Sequence, residues 1–413
     1  MPYSSRPRRG PSTSTPKYRG AAHFGGSGRS FGSSNKRGPK KDYINPSRFV
    51  KPAKPVDEVV YVAKHTFEDF AIDPILKQNI EAKGFTAPSP IQDETIPLGL
   101  AGKDVIGIAN TGTGKTLAFA IPVLDRLMQD KTSMALVIAP TRELAQQIED
   151  EFRAVAKKSG LNGALLIGGT AMGPQLGDLR AKPRIVIGTP GRIKDHLERG
   201  SLNLDTCNLV VLDEVDRMLD MGFVHDVTTI LSKLAPVRQS FFFSATLDRS
   251  VSDLIRTFAN EPVTVSVKTG DTSDNVNQDI VCYETSQDKL EQLHNILIKE
   301  GTEKAIIFDE TQRSVERLSK ELQARGFKAD AIHGGKTQGQ RQRALDRFKR
   351  SDITILVATD VAARGIDVKD ITHVINYATP NSYEDYAHRI GRAGRAGRVG
   401  YALTFVTESQ SRR

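Results

Sequence analysis

Cysteine is scarce in this 413-residue chain, which contains only Cys207 and Cys282. The two lie far apart and lack metal-ligand spacing, which argues against a disulfide framework or a zinc site and favours a reducing compartment. No apolar run approaches the roughly 18 residues of a membrane span, and no apolar core follows the basic N-terminus as in a secretory signal. We therefore expect a soluble, cytoplasmic protein without a membrane partner. A basic patch at 36–41 leaves a nuclear location open.

Positive charge is concentrated at the N-terminus. Residues 1–50 contain eleven Lys or Arg and one acidic residue, whereas the other 363 residues contain 47 basic and 48 acidic residues. A Gly-, Ser- and Arg-rich segment of this kind buries too little apolar area to offset its ordering entropy, so we predict a disordered tail over 1–64. Tyr18, Phe24 and Phe31 between the basic residues suit single-stranded nucleic acid. The alternative is a solvated tail that only keeps the protein soluble.

From residue 65 onward, short apolar runs alternate with helical stretches, which predicts parallel sheets covered by helices on both faces. The pattern pauses at a polar stretch near 268–275 and then restarts. We therefore expect an α/β fold with two domains, 65–268 and 276–408, a linker at 269–275 and a short C-terminal tail at 409–413. The expected strands include 105–108, 135–138, 164–167, 185–187, 209–212, 241–243, 280–283, 305–308, 353–357, 372–377 and 402–405.

A glycine-rich loop follows the first of these strands and precedes a helix-forming stretch. Its glycines let backbone N–H groups surround phosphate, a lysine then meets the β and γ oxygens, and a threonine hydroxyl reaches magnesium. Ala109 stands where the usual signature begins with Gly. The loop predicts a nucleoside-triphosphate and Mg²⁺ site formed by Thr111, Gly112, Thr113, Gly114, Lys115 and Thr116.

Two acidic residues end the apolar run 209–212. Ligands of parallel α/β sheets bind at the carboxyl ends of the strands. Asp213 is therefore expected to hold magnesium through water, and Glu214 to orient and deprotonate an attacking water. We expect the following Asp216 and Arg217 to form a local ion pair.

The second domain lacks a phosphate loop but contains a run of arginines and glycines at 388–395. Arginine suits phosphate because its planar guanidinium donates two parallel hydrogen bonds. We expect this domain to supply arginine fingers across a cleft.

From Phe67 to Phe405 the chain resembles the DEAD-box RNA helicase family, which implies two tandem RecA-like parallel-sheet domains. Phe67 stands seventeen residues before the stretch 84–92, as in the adenine-sensing motif of the family. The resemblance implies that Gln92 reads the adenine edge, that Phe85 packs on the ring and that Asp367 contacts the ribose. It also implies that Arg392 and Arg395 are the arginine fingers, and that His388 bridges toward Asp216 and a coupling motif that includes Ser244 and Thr246. By the same resemblance, RNA contacts fall on Pro140, Thr141, Arg142, Gly168, Gly169, Thr189, Gly191, Arg192, Gln338, Arg341, Thr359 and Arg364.

Three positions depart from the family pattern. Val215 stands where the acidic motif has Ala, and we expect its side chain to point into the sheet region rather than at the ion, so that activity survives. Ala393 replaces a Thr between the finger arginines, and Gly335 replaces an Asp beside His333, which concerns one RNA contact of the second domain.

The expected function is ATP hydrolysis at the interdomain cleft that unwinds or remodels RNA without reading its sequence, because phosphates carry no base identity. The core is expected to be monomeric, without a C-terminal RNA-binding domain. Two alternatives remain: an ATP-dependent RNA clamp that scarcely unwinds, and a DNA-translocating motor with the same core.

Overall fold

Two parallel β-sheets, one in each half of the chain, organise the structure. The computed structural model describes residues 44–54, 61–110, 112–267, 274–363, 368, 370–394 and 398–411. The first 43 residues of the expected tail and residues 269–273 of the expected linker lie outside this part of the chain. Each sheet with its helices is referred to below as the first or the second domain.

The first sheet contains seven strands in the order β3-β4-β2-β5-β6-β1-β7, and the second contains six in the order β10-β11-β9-β12-β13-β8. Every strand pairing within them is parallel. The strands are β1 (Val105–Ile108), β2 (Met134–Ile138), β3 (Gly163–Leu166), β4 (Ile185–Gly188), β5 (Cys207–Leu212), β6 (Gln239–Ser244), β7 (Val263–Ser266), β8 (Val276–Tyr283), β9 (Ala305–Phe308), β10 (Ala329–Ile332), β11 (Ile355–Ala358), β12 (His373–Asn376) and β13 (Gly400–Thr407).

Helices connect the strands, as parallel pairing requires. They are α1 (Pro74–Ala82), α2 (Pro90–Leu100), α3 (Lys115–Gln129), α4 (Arg142–Val155), α5 (Met172–Arg180), α6 (Pro190–Glu198), α7 (Val215–Asp220), α8 (Val224–Leu231), α9 (Arg249–Phe258), α10 (Ser286–Leu297), α11 (Gln312–Ala324), α12 (Gln338–Lys349), α13 (Asp360–Ala363), α14 (Tyr383–Ile390) and α15 (Glu408–Ser411), with a 3₁₀ helix at Pro46–Phe49.

The strands form where apolar residues run continuously, because both faces of a parallel sheet are covered. Phe241, Phe242 and Phe243 are fully buried, which confirms that this run belongs to the sheet core. The carboxyl ends of β1, β5 and β6 are neighbours in the first sheet, and those of β2, β3 and β4 form the other half of the same edge. This order divides the residues that follow the strands into two adjoining groups.

Side-chain caps fix the start of two helices that carry candidate site residues. The Thr141 hydroxyl accepts a hydrogen bond from the N–H of Leu144 (3.3 Å) at the start of α4, and the Ser382 hydroxyl accepts one from Asp385 (3.0 Å) at the start of α14. Such caps satisfy N–H groups that have no partner within the helix and stabilise it by about 1 kcal/mol.

Residues 44–54 differ from the expected tail. Phe49 is fully buried and Ile44 nearly so, in an apolar cluster of the second domain. Prediction from the basic composition failed here because it does not take account of tertiary contacts. Ile44 and Phe49 pack against the second domain, and this packing orders the segment. Within the described part of the chain, no helix has both the length and the apolar character to cross a membrane.

Candidate active site

The glycine-rich loop is braced by helix α2. The side-chain amide of Gln92 donates to the carbonyl of Gly114 (3.0 Å), and the Ser89 hydroxyl donates to the carbonyl of Thr113 (2.8 Å). Gly114 has φ +93°, and a Cβ at this position would clash with the Gln92 amide. Glycine is therefore required here both for its backbone conformation and for the close approach of Gln92.

Lys115 opens helix α3 and lies close to a carboxylate. Its Nζ donates to the carbonyl of Ala109 (3.0 Å) and lies 3.9 Å from Oδ1 of Asp213. The N-terminus of an α-helix favours anions because its first N–H groups have no partner within the helix. The buried lysine and the start of α3 together provide positive potential suited to phosphate.

Asp213 and Glu214 follow β5 and are both buried. Burial raises the pKa of Asp213 to about 6, although Lys115 opposes this. Burial alone would also raise the pKa of Glu214, but the cations Arg217, Lys115 and Arg392 outweigh it and lower that pKa. Glu214 is thereby kept ionised at neutral pH, as a general base requires.

The predicted ion pair between Asp216 and Arg217 is wrong. Nη1 of Arg217 instead contacts Oε2 of Glu214 at 2.6 Å, and both side chains are buried. Glu214 has a left-handed backbone with φ 53°, immediately before the first turn of α7. A non-glycine residue in this region is strained, and such strain often occurs at functional sites.

The Asp216 carboxylate bonds to the coupling motif. Its Oδ2 accepts hydrogen bonds from the N–H groups of Ala245 (3.0 Å) and Thr246 (3.1 Å), while the Ser244 hydroxyl accepts from the N–H of Asp216 (3.2 Å). The acidic motif after β5 and the segment after β6 are thus joined by direct hydrogen bonds. A shift of either one displaces the other.

Residues of helix α14 and just after it, from the second domain, lie next to the acidic residues that follow β5. A cavity of about 60 Å³ is lined by Lys115, Glu214 and Asp216 from the first domain and by His388 and Arg392 from the second. Arg392 is buried, and its Nε contacts the carbonyl of His388 (3.3 Å). The structure therefore brings together a lysine, two carboxylates, a histidine and an arginine that sequence analysis selected from distant parts of the chain.

A second cavity, of about 410 Å³, adjoins the glycine-rich loop, within the size range of small-molecule sites. Phe85, Gln92, Asp213 and Glu214 line it. The loop residues Gly112, Thr113, Gly114, Lys115 and Thr116 line the same cavity. The predicted adenine-reading residues and the predicted phosphate loop thus share one space.

The predicted RNA residues of the first domain lie after neighbouring strands. Pro140, Thr141 and Arg142 follow β2, Gly168 and Gly169 follow β3, and Thr189, Gly191 and Arg192 follow β4. The Arg142 guanidinium packs so closely on Gly169 that a Cβ there would clash with it. The Arg192 guanidinium lies 3.4 Å from the carbonyl of Thr170. These residues form one group at the carboxyl ends of the neighbouring strands β2, β3 and β4.

Gln338 and Arg341, at the start of α12, lie against the first domain. Arg341 forms an ion pair with Glu143 on α4 (2.8 Å), and the Gln338 amide donates to the same carboxylate (3.2 Å). All three side chains are buried. Sequence analysis assigned the two α12 residues to RNA, whereas the structure shows them in an interdomain contact.

Four predicted site residues, Thr111, Arg364, Asp367 and Arg395, lie outside the described part of the chain. Thr359 follows β11, near Asp360, whose carboxylate holds Arg389 of α14 by two contacts of 2.6 and 2.7 Å.

Sequence analysis missed Arg217, Glu143 and this Asp360–Arg389 pair as contributors. Each lies within a recognised motif, but the sequence alone does not reveal its partner.

Val215 is fully buried in an apolar cluster of the first domain. The expectation that this side chain points into the sheet region is confirmed. At Gly335, a Cβ would come within 2.7 Å of Oε1 of Gln312, which is the end of a flexible side chain.

Family comparisons agree with this geometry. Residues 89–254 match the DEAD/DEAH box helicase family, and residues 288–397 match the helicase conserved C-terminal domain. The chain is 43% identical over 343 residues to the DEAD-box ATP-dependent RNA helicase CshA of Bacillus licheniformis, covering 83% of this chain and 70% of that one. The CshA of Bacillus subtilis is also 43% identical, with 83% and 69% covered.

Solved structures give the same result. Mss116p bound to single-stranded RNA and AMP-PNP superposes with a TM-score of 0.74 at 31% identity, covering 83% of this chain and 74% of that one. Saccharomyces cerevisiae Dbp5 bound to RNA and ADP BeF3 gives a TM-score of 0.73 at 28% identity, covering 84% and 90%. The chain belongs to the DEAD-box ATP-dependent RNA helicase family, a class of ATP-hydrolysing enzymes.

Proposed function

We propose that the chain hydrolyses ATP where its two domains meet and uses the cycle to remodel RNA. The observation that carries this proposal is the cavity shared by Lys115 and Glu214 of the first domain with His388 and Arg392 of the second. Phosphoryl transfer needs positive charge at the transferred group and a base that orients water. The first domain supplies the base Glu214 and the cation Lys115, and the second domain adds Arg392 to the same cavity when the two domains are together.

The adenine would lie in the cavity beside Phe85 and Gln92, with its phosphates toward Lys115 at the start of α3. Glu214, ionised at neutral pH, would orient and deprotonate the attacking water. Arg392 would meet charge that develops on the terminal phosphoryl, a contribution worth about a thousandfold or more in turnover. The hydrogen bonds between Asp216 and the coupling motif would pass a change at the phosphates to the RNA side.

A magnesium ion fits the donor set at this place. Asp213 is a buried carboxylate beside the loop, and Thr116 contributes a hydroxyl to the same cavity. Magnesium prefers oxygen ligands and keeps several waters, so few protein ligands suffice. Asp213 and Thr116 would hold the ion, which supplies charge neutralisation when bound.

RNA would lie along the residues that follow β2, β3 and β4. Backbone contacts there would position a strand without reading its sequence. Preference for RNA over DNA would come from the 2′-hydroxyl and A-form shape. The monomeric core and the cytoplasmic location stay predictions from the sequence.

The clamp and DNA-motor alternatives are not favoured. Duplex displacement with ATP against a nonhydrolysable analogue separates unwinding from clamping. Stimulation of ATP turnover by RNA and by DNA of equal length separates the two substrates.

Glu214→Gln tests the assigned base. Amide replaces carboxylate at nearly equal volume, so nucleotide binding should persist while RNA-stimulated turnover falls at least a hundredfold, as is usual for loss of a general base. Fluorescent-nucleotide binding and phosphate release measure the two steps. Glu198→Gln, at a largely exposed carboxylate of α6, is the matched control and should behave as wild type. Robust turnover in the Glu214 variant would remove this residue from the role.

A further inference from the structure

The segment before the first domain packs on the second domain. Phe49 is fully buried in the apolar cluster that also contains Val276 and Ile390, and its ring centroid lies 4.7 Å from that of Tyr386. Burial of a phenylalanine side chain stabilises such a contact because its apolar area is removed from water. This contact fastens residues 44–54 to the second domain.

Backbone hydrogen bonds hold the same segment on the edge of the second sheet. Lys51 and Gln278 exchange an antiparallel pair of bonds, 3.0 and 2.8 Å long, on the outer strand β8. The N–H of Lys54 donates to the carbonyl of Asp274 (2.8 Å), and the Lys51 ammonium contacts the Asp274 carboxylate at 2.7 Å. The segment thus covers an edge strand that would otherwise present unpaired groups.

Helix α14 also contacts this segment. Its Tyr386 is packed under Phe49 and donates a hydrogen bond to Gln278 (2.9 Å), and its Tyr383 ring lies 3.9 Å below the Arg48 guanidinium. The same helix carries His388 and ends just before Arg392. The N-terminal segment therefore contacts the element that places the finger arginine.

The contacts of residues 44–54 with the second domain form a first anchor, and residues 61–65 form a second anchor on the first domain. The Asp93 carboxylate, almost fully buried on α2, accepts hydrogen bonds from the Tyr61 hydroxyl (2.6 Å) and the N–H of Lys64 (2.7 Å) and contacts Nδ1 of His65 (2.6 Å). Asp93 is adjacent to Gln92, which braces the phosphate loop. Residues 61–65 are thereby held on helix α2, which carries both Asp93 and Gln92.

Only six residues, 55–60, separate the two anchors. The seven Cα–Cα steps from Lys54 to Tyr61 span at most about 25 Å. The same number of steps joins Val267, at the end of the first domain, to Asp274 in the second. Two short covalent connections therefore join the domains. A second connection of this length limits how far the two domains can separate and turn relative to one another.

We propose that residues 44–65, the N-terminal connector, form a second link between the domains that keeps helix α14 close to helix α2. Its consequence for turnover rests on the function proposed above. The connector makes Phe49 and Tyr386 positioning residues for Arg392, and it raises the effective concentration of the second domain at the ATP site.

Lengthening the connector tests this without touching either anchor. A twenty-residue Gly/Ser insertion between Lys54 and Pro55 extends the link from seven to twenty-seven steps. Effective concentration falls with about the −3/2 power of length, so the fully associated arrangement should be depopulated by up to about eightfold. The same insertion between Lys41 and Asp42, in front of the first anchor, is the matched control.

Two readouts separate the connector from the proposed function. The first is the interdomain distance between spin labels at Asp178→Cys and Glu300→Cys, both exposed positions, in a background with Cys282→Ser. Cys207 is fully buried, and burial raises its thiol pKa to about 12, so it stays unlabelled. The second is RNA-stimulated turnover, in which kcat should fall up to about eightfold while nucleotide affinity stays at the wild-type value.

A broader, longer distance distribution in the Lys54–Pro55 insertion and a wild-type distribution in the control are expected. An unchanged distribution in the first variant overturns the connector, whatever its activity. A wild-type protein without ATP turnover would instead overturn the proposed function, and the distance measurement would still decide the connector.

Discussion

Removal of the Arg341 guanidinium should weaken closure of the two domains. Arg341 and Glu143 are 2.8 Å apart, with side chains 9% and 1% exposed. At that distance and an effective dielectric constant of about 20, their attraction is about 6 kcal/mol before desolvation. Removing one partner of a buried pair costs about 3–5 kcal/mol because the other charge stays buried.

In Arg341→Met we expect the cost to fall on the arrangement with the domains together, because Arg341 contacts Glu143 across the domain boundary. A loss of about 3 kcal/mol lowers the closed population more than a hundredfold. RNA-stimulated kcat/KM should fall by a similar factor, while nucleotide binding to the first domain is unchanged. Phosphate release and fluorescent-nucleotide binding measure the two quantities. Arg343→Met, at an exposed position of the same helix, is the control.

The double variant Glu143→Gln/Arg341→Met distinguishes this contact from a direct RNA contact. Because the Glu143 charge is removed as well, part of the lost activity should return. The double-mutant cycle should then give a coupling energy of at least about 1 kcal/mol. If Arg341 acts by contacting RNA, the second substitution will recover nothing. Turnover of Arg341→Met within twofold of wild type, or an equal loss in Arg343→Met, would refute the reasoning.

Two further predictions concern the ATP side. Arg217→Met removes the nearest cation from Glu214, so the Glu214 pKa should rise and turnover should be lost at a higher pH as the solution is acidified. Rate profiles from pH 4 to 9 test this, because the wild-type pKa of Glu214 lies below its ordinary value, and an acid limb at the wild-type position would contradict it. Gly114→Ala places a Cβ against the Gln92 amide at φ +93° and should weaken nucleotide binding more than tenfold, or about 1.4 kcal/mol, in a fluorescence titration. Gly200→Ala, which also has positive φ but open space around it, should leave affinity unchanged, and equal affinities in the two variants would count against the clash.

Much of the fold could be predicted because its strands are continuous apolar runs. Strands β1 and β9 have the predicted bounds, and the others begin or end a few residues away. Strands β7 and β10 were missed for physical reasons. Strand β7 lies at the sheet edge with most of its side chains exposed, and β10 contains Asp330, whose charge is balanced by Lys336 and Arg347.

The site was predictable where a motif is contiguous, as in the loop at Lys115 and the pair Asp213 and Glu214. Partners were not predictable where they depend on tertiary structure. Glu143 and Arg341 are 198 residues apart in the chain, and Arg217 pairs with Glu214 rather than with its neighbour Asp216. The order of residues 44–54 likewise depends on a pocket that the second domain provides for Phe49.

The central claim is that arginine from one domain and lysine with carboxylates from the other act on a single triphosphate. A crystal structure of the full chain with a nonhydrolysable ATP analogue, magnesium and an RNA strand tests it most directly. The account predicts guanidinium nitrogens of Arg392 about 2.7–2.9 Å from an oxygen of the terminal phosphoryl, with Lys115 on the same group. A terminal phosphoryl held by the first domain alone, with Arg392 directed elsewhere, would contradict it.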